Sequence, residues 1–164
     1  NPNQGSYSNV DFELDDVSTT ESYYPSEIPV TELKFGDVIQ VDKSTTGLVN
    51  GFRVLLRMDE SVNDFCVRDK AGAKIEGEVG FMQPSRMTYL GKYLGSKDDM
   101  ILVDVDATDE ERVLPVRYFA YNYIMLVDRE EKSATVINRA DISVGDTIFA
   151  IRRYAGITVL VVIR

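Results

Sequence analysis

The stretch Ile157-Thr158-Val159-Leu160-Val161-Val162-Ile163 decides the fold. Its residues are apolar on both faces of a strand and mostly β-branched, which is typical of a strand that lies between neighbours inside a sheet. Upstream segments alternate apolar and polar residues with a period of two, which predicts strands with one wet face. These segments are Phe52–Leu56, Phe65–Val67 and Ile101–Val105. Because turn residues recur between such segments, we predict an all-β fold, an antiparallel barrel or sandwich of short strands.

The C-terminal strand belongs to the second of two similar segments. Glu32-Leu-Lys-Phe-Gly-Asp-Val-Ile-Gln-Val41 aligns without a gap with Asp141-Ile-Ser-Val-Gly-Asp-Thr-Ile-Phe-Ala150. After each segment a second strand returns, over Gly51–Arg57 or over Gly156–Arg164. Glycine permits the chain reversal, and the aspartate side chain can accept backbone N–H bonds there. The sequence therefore predicts two related Gly-Asp hairpins.

The acidic residues are concentrated at the N-terminus. Residues 1–33 hold seven acids and no Lys or Arg, whereas the rest of the chain holds 20 acids and 18 bases. We therefore predict an acidic extended leader, residues 1–30, followed by a β body, residues 31–164. An alternative divides the body into two small β subdomains, residues 31–86 and 87–164.

One strand is predicted within the leader, near residues 10–14. Val10, Phe12 and Leu14 alternate with acidic residues there, as in a half-buried strand. Such a strand either completes the chain's own sheet or adds to the edge of a neighbouring subunit. We take these three residues as the predicted contact of a homo-oligomer. Bases on the neighbour that could meet the leader's acids are Arg53, Arg57, Arg152 and Arg153.

The composition excludes several classes of function. The chain has no His and one Cys, so a Ser-His-Asp triad, a Cys-His pair, an intrachain disulfide and a multi-thiolate metal site are all excluded. A net charge of -9 opposes binding to nucleic acid. The longest apolar run, Val159–Ile163, is far shorter than the ~20 residues of a membrane span. The chain begins at Asn1 without a signal-peptide pattern, so we expect any signal peptide to have been removed.

The densest acidic stretch of the body is a candidate calcium site. Asp104, Asp106 and Asp109 follow a spacing that resembles the start of a calcium loop, and calcium takes six to eight oxygen ligands. However, no Gly occupies the sixth position, and alternation places Asp104 and Asp106 on the solvent face of a strand. The simpler interpretation is a solvated acidic hairpin without a cofactor.

A row of aromatic residues is a candidate ligand platform. Phe119, Tyr121 and Tyr123 recur with a period of two, with Arg117 in phase, so one strand face could present rings that stack on a sugar. The alternative is that these aromatic residues fill the core.

Cys66 alternates with Phe65 and Val67 and is predicted to be a small buried residue. We identify no catalytic pair of carboxylates and predict that the chain is not an enzyme.

The order of elements resembles a β-rich region near the C-terminus of some Firmicutes cell-surface proteins, including proteins with S-layer homology repeats. The matching stretches are Leu33–Val41, Gly91–Tyr93 with Met100–Asp106, and Asp141–Arg164. The chain lacks the anchoring repeats of those proteins. The resemblance implies an extracellular, wall-associated structural module, and it implies no functional site.

These observations predict a non-catalytic structural subunit of an extracellular bacterial surface assembly, such as an S-layer, a filament or a wall-associated array, built through β-strand contacts. A monomeric module that binds glycan or cell-wall polysaccharide is the first alternative. A virion structural protein is the second, because such subunits share this β-rich composition.

Overall fold

The structure is a computed structural model of the chain. It describes residues 8–14, 17–23, 32–47, 49–76, 79, 86–106, 108, 112–118, 123–153 and 156–164, with residues 8–14, 17–23, 42, 49 and 50 described through the backbone alone. The described strands are β1 (Ser8–Leu14), β2 (Val17–Tyr23), β3 (Val38–Lys43), β4 (Val49–Leu56), β5 (Cys66–Arg68), β6 (Met87–Lys97), β7 (Met100–Asp104), β8 (Val113–Arg117), β9 (Ile124–Asp128), β10 (Ser133–Ile137), β11 (Thr147–Arg153) and β12 (Gly156–Ile163). Short 3-10 turns lie at Glu60–Asn63 and Arg139–Asp141. The predicted all-β class is confirmed.

The chain forms two compact units, Asn1–Met58 and Asp59–Arg164. The first unit contains a four-stranded sheet in the order β1-β2-β4-β3. Its neighbours are antiparallel except for β2 and β4, which pair in parallel at Tyr23 and Val49. The leader thus contributes two strands, although the sequence predicted one.

The second unit contains an eight-stranded sheet. Seven of its strands follow the order β10-β9-β12-β11-β6-β7-β8, and β5 pairs with β6 beside this path. All neighbours are antiparallel except β9 and β12, which are parallel. As predicted, β12 lies inside the sheet, between β9 and β11. Neither sheet closes on itself among the described strands, so the sheets are open, as in a sandwich, rather than a closed barrel.

The main core of the second unit lies on one face of the eight-stranded sheet. Leu160 and Val162 of β12 point to this face together with Ile124, Ile148 and Tyr89 from neighbouring strands, and all are buried. Alternate residues of the same central strands are buried on the opposite face. Those residues are Leu90, Val127, Phe149, Val161 and Ile163. Burial on both faces explains the apolar runs at residues 148–151 of β11 and 159–163 of β12.

The second Gly-Asp hairpin is closed by an ion pair between its turn and its last residue. The Asp146 carboxylate accepts the Ser143 N–H at 2.8 Å, and Gly145 adopts a left-handed φ of 95° that favours glycine. Arg164 then donates to both carboxylate oxygens of Asp146, at 3.0 and 2.6 Å, and to the Asp141 carbonyl at 2.7 Å. The carboxylate therefore joins the start of the hairpin to its end.

The first Gly-Asp hairpin repeats this arrangement inside the first unit. The Asp37 carboxylate accepts the Lys34 N–H at 3.0 Å and the Met58 N–H at 2.7 Å. Arg57 donates to the Glu32 carbonyl at 2.7 Å and contacts Asp37 at 3.4 Å. Glu32, Lys34 and Asp37 correspond in the sequence alignment to Asp141, Ser143 and Asp146. The two hairpins are therefore related in structure, as the sequence predicted. We call this arrangement of arginine, aspartate and turn carbonyl the Arg-Asp clasp.

A glycine allows the close approach of β6 and β7. Gly91 is buried, and a Cβ atom there would overlap the Asp104 carbonyl oxygen and lie 2.8 Å from its carbonyl carbon. A few residues further along, the pairing of β6 with β7 shifts register between Tyr93 and Gly95. A register shift of this kind is typical of a β-bulge.

Candidate functional site

Sheet edges are the candidate functional sites of this chain. Among the described strands, β1 and β3 end the four-stranded sheet, and β8 and β10 end the main path of the eight-stranded sheet. A strand at an edge leaves N–H and C=O groups on one side without a neighbouring strand and is a template for pairing with another chain. The outer side of β5 is instead covered by the segment that follows it. The Ile75 N–H donates to the Val67 carbonyl, and the backbones of Lys74 and Arg68 form an isolated antiparallel β-bridge.

The predicted leader contact lies on the first of these edges. Val10, Phe12 and Leu14 occupy alternate positions of β1, which pairs with β2 along its full length. The leader therefore pairs within its own chain, which was one of the two predicted alternatives. Because β1 is the outermost of the described strands, its other side is an edge among them at which a neighbouring subunit could add. Contact with a second copy at these residues stays a prediction.

Three of the edges carry features that discourage strand addition, and in β1 these are the charges of Asp11 and Glu13. β3 has register irregularities at Val38/Ile39 and Asp42/Lys43. β8 has Pro115 at its centre, which cannot donate a backbone hydrogen bond, and it ends at Arg117. Bulges, prolines and charges are the usual means by which proteins protect an edge.

β10 carries none of these features. Its sequence, Ser133-Ala134-Thr135-Val136-Ile137, has no charge and no proline, and its pairing with β9 is regular. The first four residues are exposed. The β9–β10 connection is held by Asp128, whose carboxylate accepts the N–H groups of Glu130 and Glu131 at 3.0 and 2.9 Å. Within the part of the chain that the structure describes, β10 is thus a firmly placed and unprotected edge.

Exposed apolar side chains lie beside the β10 edge. The register places Val136 opposite Met125, and Met125 beside Val161 of β12, all on one face of the sheet. Tyr123 and Val159 precede Ile124 and Leu160, the first pair of the β9–β12 ladder. By alternation they fall on the same face as Met125 and Val161. Val136, Tyr123 and Val159 are 51%, 81% and 39% exposed. We call Val136, Met125, Tyr123 and Val159 the β10 patch.

Sequence reasoning did not identify β10 as a site. The turn at residues 129–132 is followed by a segment that alternates polar and apolar residues over 133–136, but no strand was predicted there. The available signal was a short β-branched segment without charge in a chain whose net charge is -9. Only the strand order shows that this segment is an edge.

The predicted calcium residues have other roles in the structure. Asp104 was expected on the solvent face, and this expectation is wrong: it is buried, and its Oδ1 accepts the N–H groups of Asp106 and Arg112, each at 3.1 Å. Asp106 accepts the Thr108 N–H at 2.9 Å, a hydrogen bond that lowers the pKa of Asp106. Asp109 lies outside the described residues. In the part of the chain that the structure describes, no three His, Cys, Asp or Glu side chains gather in a way that could hold a metal ion. The absence of a cofactor stays a prediction, with calcium as the weaker alternative.

The predicted aromatic platform is only partly described. Phe119 and Tyr121 lie outside the described residues. Arg117 ends β8 and forms an ion pair with Asp99 at 2.7 Å, whereas Tyr123 lies just before β9. Arg117 and Tyr123 therefore do not share a strand, so the prediction of a single row is wrong for these two residues. The exposure of Tyr123 also contradicts the alternative in which this ring fills the core.

The predicted bases divide into two groups. Arg57 takes part in the first Arg-Asp clasp, and Arg152 is buried, donating to the Tyr89 hydroxyl at 3.0 Å. The prediction that Arg152 is available to a neighbour's acids is therefore wrong. Burial raises the pKa of the Tyr89 hydroxyl, so it stays neutral beside the guanidinium. Arg53 and Arg153 are exposed.

Cys66 is buried, as predicted. Its Sγ–H donates to the Asp64 carbonyl at 3.1 Å, and burial raises the pKa of the Cys66 thiol. Such a thiol is protonated at neutral pH and is a poor nucleophile.

Comparisons of the chain with protein-family models, with curated proteins and with solved structures found no match. Within the described residues, no helical segment has the length and apolar character that a membrane span requires.

Proposed function

We propose that this chain is a non-catalytic structural subunit that assembles with copies of itself through β-strand contacts. The observation that carries the proposal is that both sheets are open, with edge strands at β1, β3, β8 and β10 among the described residues. Adding a strand at such an edge forms backbone hydrogen bonds and needs no special side-chain chemistry.

The Arg-Asp clasps support this role. Each clasp ties the first residues of a hairpin to its last arginine through a carboxylate that also accepts backbone N–H bonds. Hydrogen bonds to charged groups are stronger than those between neutral groups. A subunit held in this way presents its edges in a fixed geometry, which lowers the entropic cost of assembly.

We place this assembly on a bacterial surface, as an S-layer, filament or wall-associated array outside the cell. The support is the resemblance of the Gly-Asp hairpins and their flanking strands to those of Firmicutes cell-surface proteins. The acidic leader fits such an array because an exposed base of an adjacent copy, such as Arg153, could face its carboxylates.

The mass of the full chain in solution tests assembly. Light scattering coupled to size exclusion, over a hundredfold range of concentration, is expected to give masses above the 18.5 kDa of one chain. Deletion of residues 1–30 tests the leader as a contact, and the truncated chain is expected to stay folded and to give a lower mass than the full chain at the same concentration. A mass of one chain at every concentration contradicts assembly, and unchanged assembly after the deletion contradicts the leader contact alone.

A glycan-binding module is the second candidate, and the exposure of Tyr123 favours it. At 81% exposure this ring could stack on a sugar face. Titration calorimetry with purified wall polysaccharide tests the idea, with Tyr123→Ala as the variant and Val144→Ala, another exposed site, as the control. Heat that disappears only in Tyr123→Ala supports glycan binding, and no heat with the unmodified chain contradicts it.

A further inference from the structure

We infer that β10 pairs antiparallel with β10 of a second copy, so that two eight-stranded sheets become one continuous sheet across a two-fold axis. This inference rests on the proposed function and names the edge and the partner. A two-fold contact uses the same surface on both copies, so the strand must be compatible with itself.

Self-pairing separates β10 from β1 and β8, while the irregular register of β3 already sets that edge apart. When a strand pairs in full overlap with its own copy, the central residue faces itself. That residue is Asp11 in β1, Pro115 in β8 and Thr135 in β10. Like charges that face each other across strands are destabilising, and proline lacks the N–H that a ladder needs. Facing threonines are a favourable cross-strand pair.

The other positions of β10 are also compatible with a second copy. Full overlap places Ala134 opposite Val136 and Ser133 opposite Ile137, so no charge faces another charge. This matters because each copy carries a net charge of -9, and acidic surfaces repel each other. The adjoining turn, Arg129-Glu130-Glu131-Lys132, has two charges of each sign. The edge is therefore neutral in an acidic chain.

The β10 patch gives the contact an apolar component. Val136 and Met125 share a face, and two-fold pairing brings Ala134 of the second copy beside Val136 on that face. Removing these exposed carbons from water favours association. A strand of five residues buries less surface than a standard stable interface, so we expect a reversible contact that becomes strong only when repeated in an array.

A matched pair of charge variants tests the inference. Val136→Lys places a charge on β10, and Val113→Lys places the same charge on β8, where the valine is 39% exposed. We expect Val136→Lys to weaken dimer formation at least tenfold in sedimentation equilibrium and Val113→Lys to leave it unchanged. Circular dichroism checks that both variants are folded. Equal behaviour of the two variants overturns the inference.

A cysteine variant gives a second readout that does not depend on affinity. Because the native Cys66 is buried, T135C adds the one exposed thiol among the described residues. Under mild oxidation we expect T135C to form a disulfide-linked dimer at least tenfold faster than V113C. Equal rates overturn the pairing of β10 with itself.

If the unmodified chain assembles while both β10 tests fail, the inference is wrong and the proposed function stands. If the unmodified chain is monomeric at every concentration, both are wrong.

Discussion

Arg164 donates two hydrogen bonds to the carboxylate of Asp146, at 3.0 and 2.6 Å, and so joins the last residue of the chain to the turn that opens the second hairpin. Arg57 and Asp37 stand in the same relationship in the first hairpin, at a longer distance of 3.4 Å. The repeated contact shows that the Gly-Asp motif works as a closure between the turn and the returning strand.

Removal of the Asp146 carboxylate tests the importance of this closure. Asp146→Ala leaves the Arg164 guanidinium and the Ser143 N–H without their acceptor, so we expect the free energy of unfolding to fall by about 2 kcal/mol. Glu130→Ala, at an exposed turn position, is the control and should change it by less than about 0.5 kcal/mol. Urea denaturation measures both. A fall no larger than the control's would show that the clasp adds no stability.

The same carboxylate predicts a dependence of stability on pH. Partial burial acts to raise the pKa of Asp146, but hydrogen bonds from Arg164 and the Ser143 N–H and the charge of Arg164 outweigh it, so the pKa lies below the ordinary 3.8. A pKa lowered by folding contributes stability that is present above the unfolded value and is lost as pH falls through the folded value. The stability of the unmodified chain should therefore fall as the pH drops from about 5 toward and below the ordinary carboxyl pKa. Asp146→Asn should show a shallower fall in urea titrations at each pH, and identical slopes would contradict this.

Asp64 provides an independent check of how a lowered carboxylate pKa affects folding stability. A hydrogen bond from Lys74, together with the charges of Lys74 and Arg68, lowers the pKa of Asp64. This site is exposed, so salt should screen it. We expect Asp64→Asn to change the pH dependence less in 0.5 M NaCl than in dilute buffer. The Asp146 carboxylate is better shielded from solvent, so salt should change the effect of Asp146→Asn less than that of Asp64→Asn. A larger salt effect for Asp146→Asn would contradict these causes of the two lowered pKa values.

Substitution of Gly91 should be among the most damaging changes in the second unit. A Cβ atom there meets the backbone of Asp104, which cannot move aside without disturbing the β6–β7 ladder. We expect Gly91→Ala to lower the free energy of unfolding by about 3 kcal/mol or more. Gly47→Ala, with open space around it and a φ of 85°, should cost only about 1 kcal/mol. Thermal unfolding of both variants decides the point, and an equal loss in the two would contradict the close approach.

Cys66 should be slow to react in the folded chain. Because its thiol is buried and its pKa is raised, we expect Ellman's reagent to modify it at least a hundredfold faster in 8 M urea than in buffer. Rapid reaction in buffer would show that β5 opens readily.

Sequence patterns predicted those parts of the fold that depend on one strand at a time. The continuous apolar run at Ile157–Ile163 indicated an internal strand, and the repeated Gly-Asp motif indicated two related hairpins, because both signals are local. The strand β2 was missed because Val17–Tyr23 is mostly polar, and Asn50-Gly51, a dipeptide typical of turns, lies within β4. Asp104 was misplaced because strand alternation does not reveal that a carboxylate will accept backbone N–H bonds from the segment that follows.

The candidate site could not be predicted in the same way. An edge is a property of strand order: β9 pairs with β10 on one side and with β12 on the other, whereas β10 pairs with β9 alone among the described strands. Residues far apart in sequence make that arrangement, and no single segment contains it. The leader strand was predicted from its alternation, whereas its pairing with β2 depends on a neighbour that lacked a clear pattern.

The most direct test of assembly through strand edges is amide hydrogen exchange measured at low and high protein concentration. Backbone amides of residues 133–137 should exchange more slowly at high concentration, as they enter a new ladder, while those of β8, whose centre is Pro115, should not change. If the mass rises with concentration and no amide of an edge strand gains protection, the subunits associate in another way and the account is wrong.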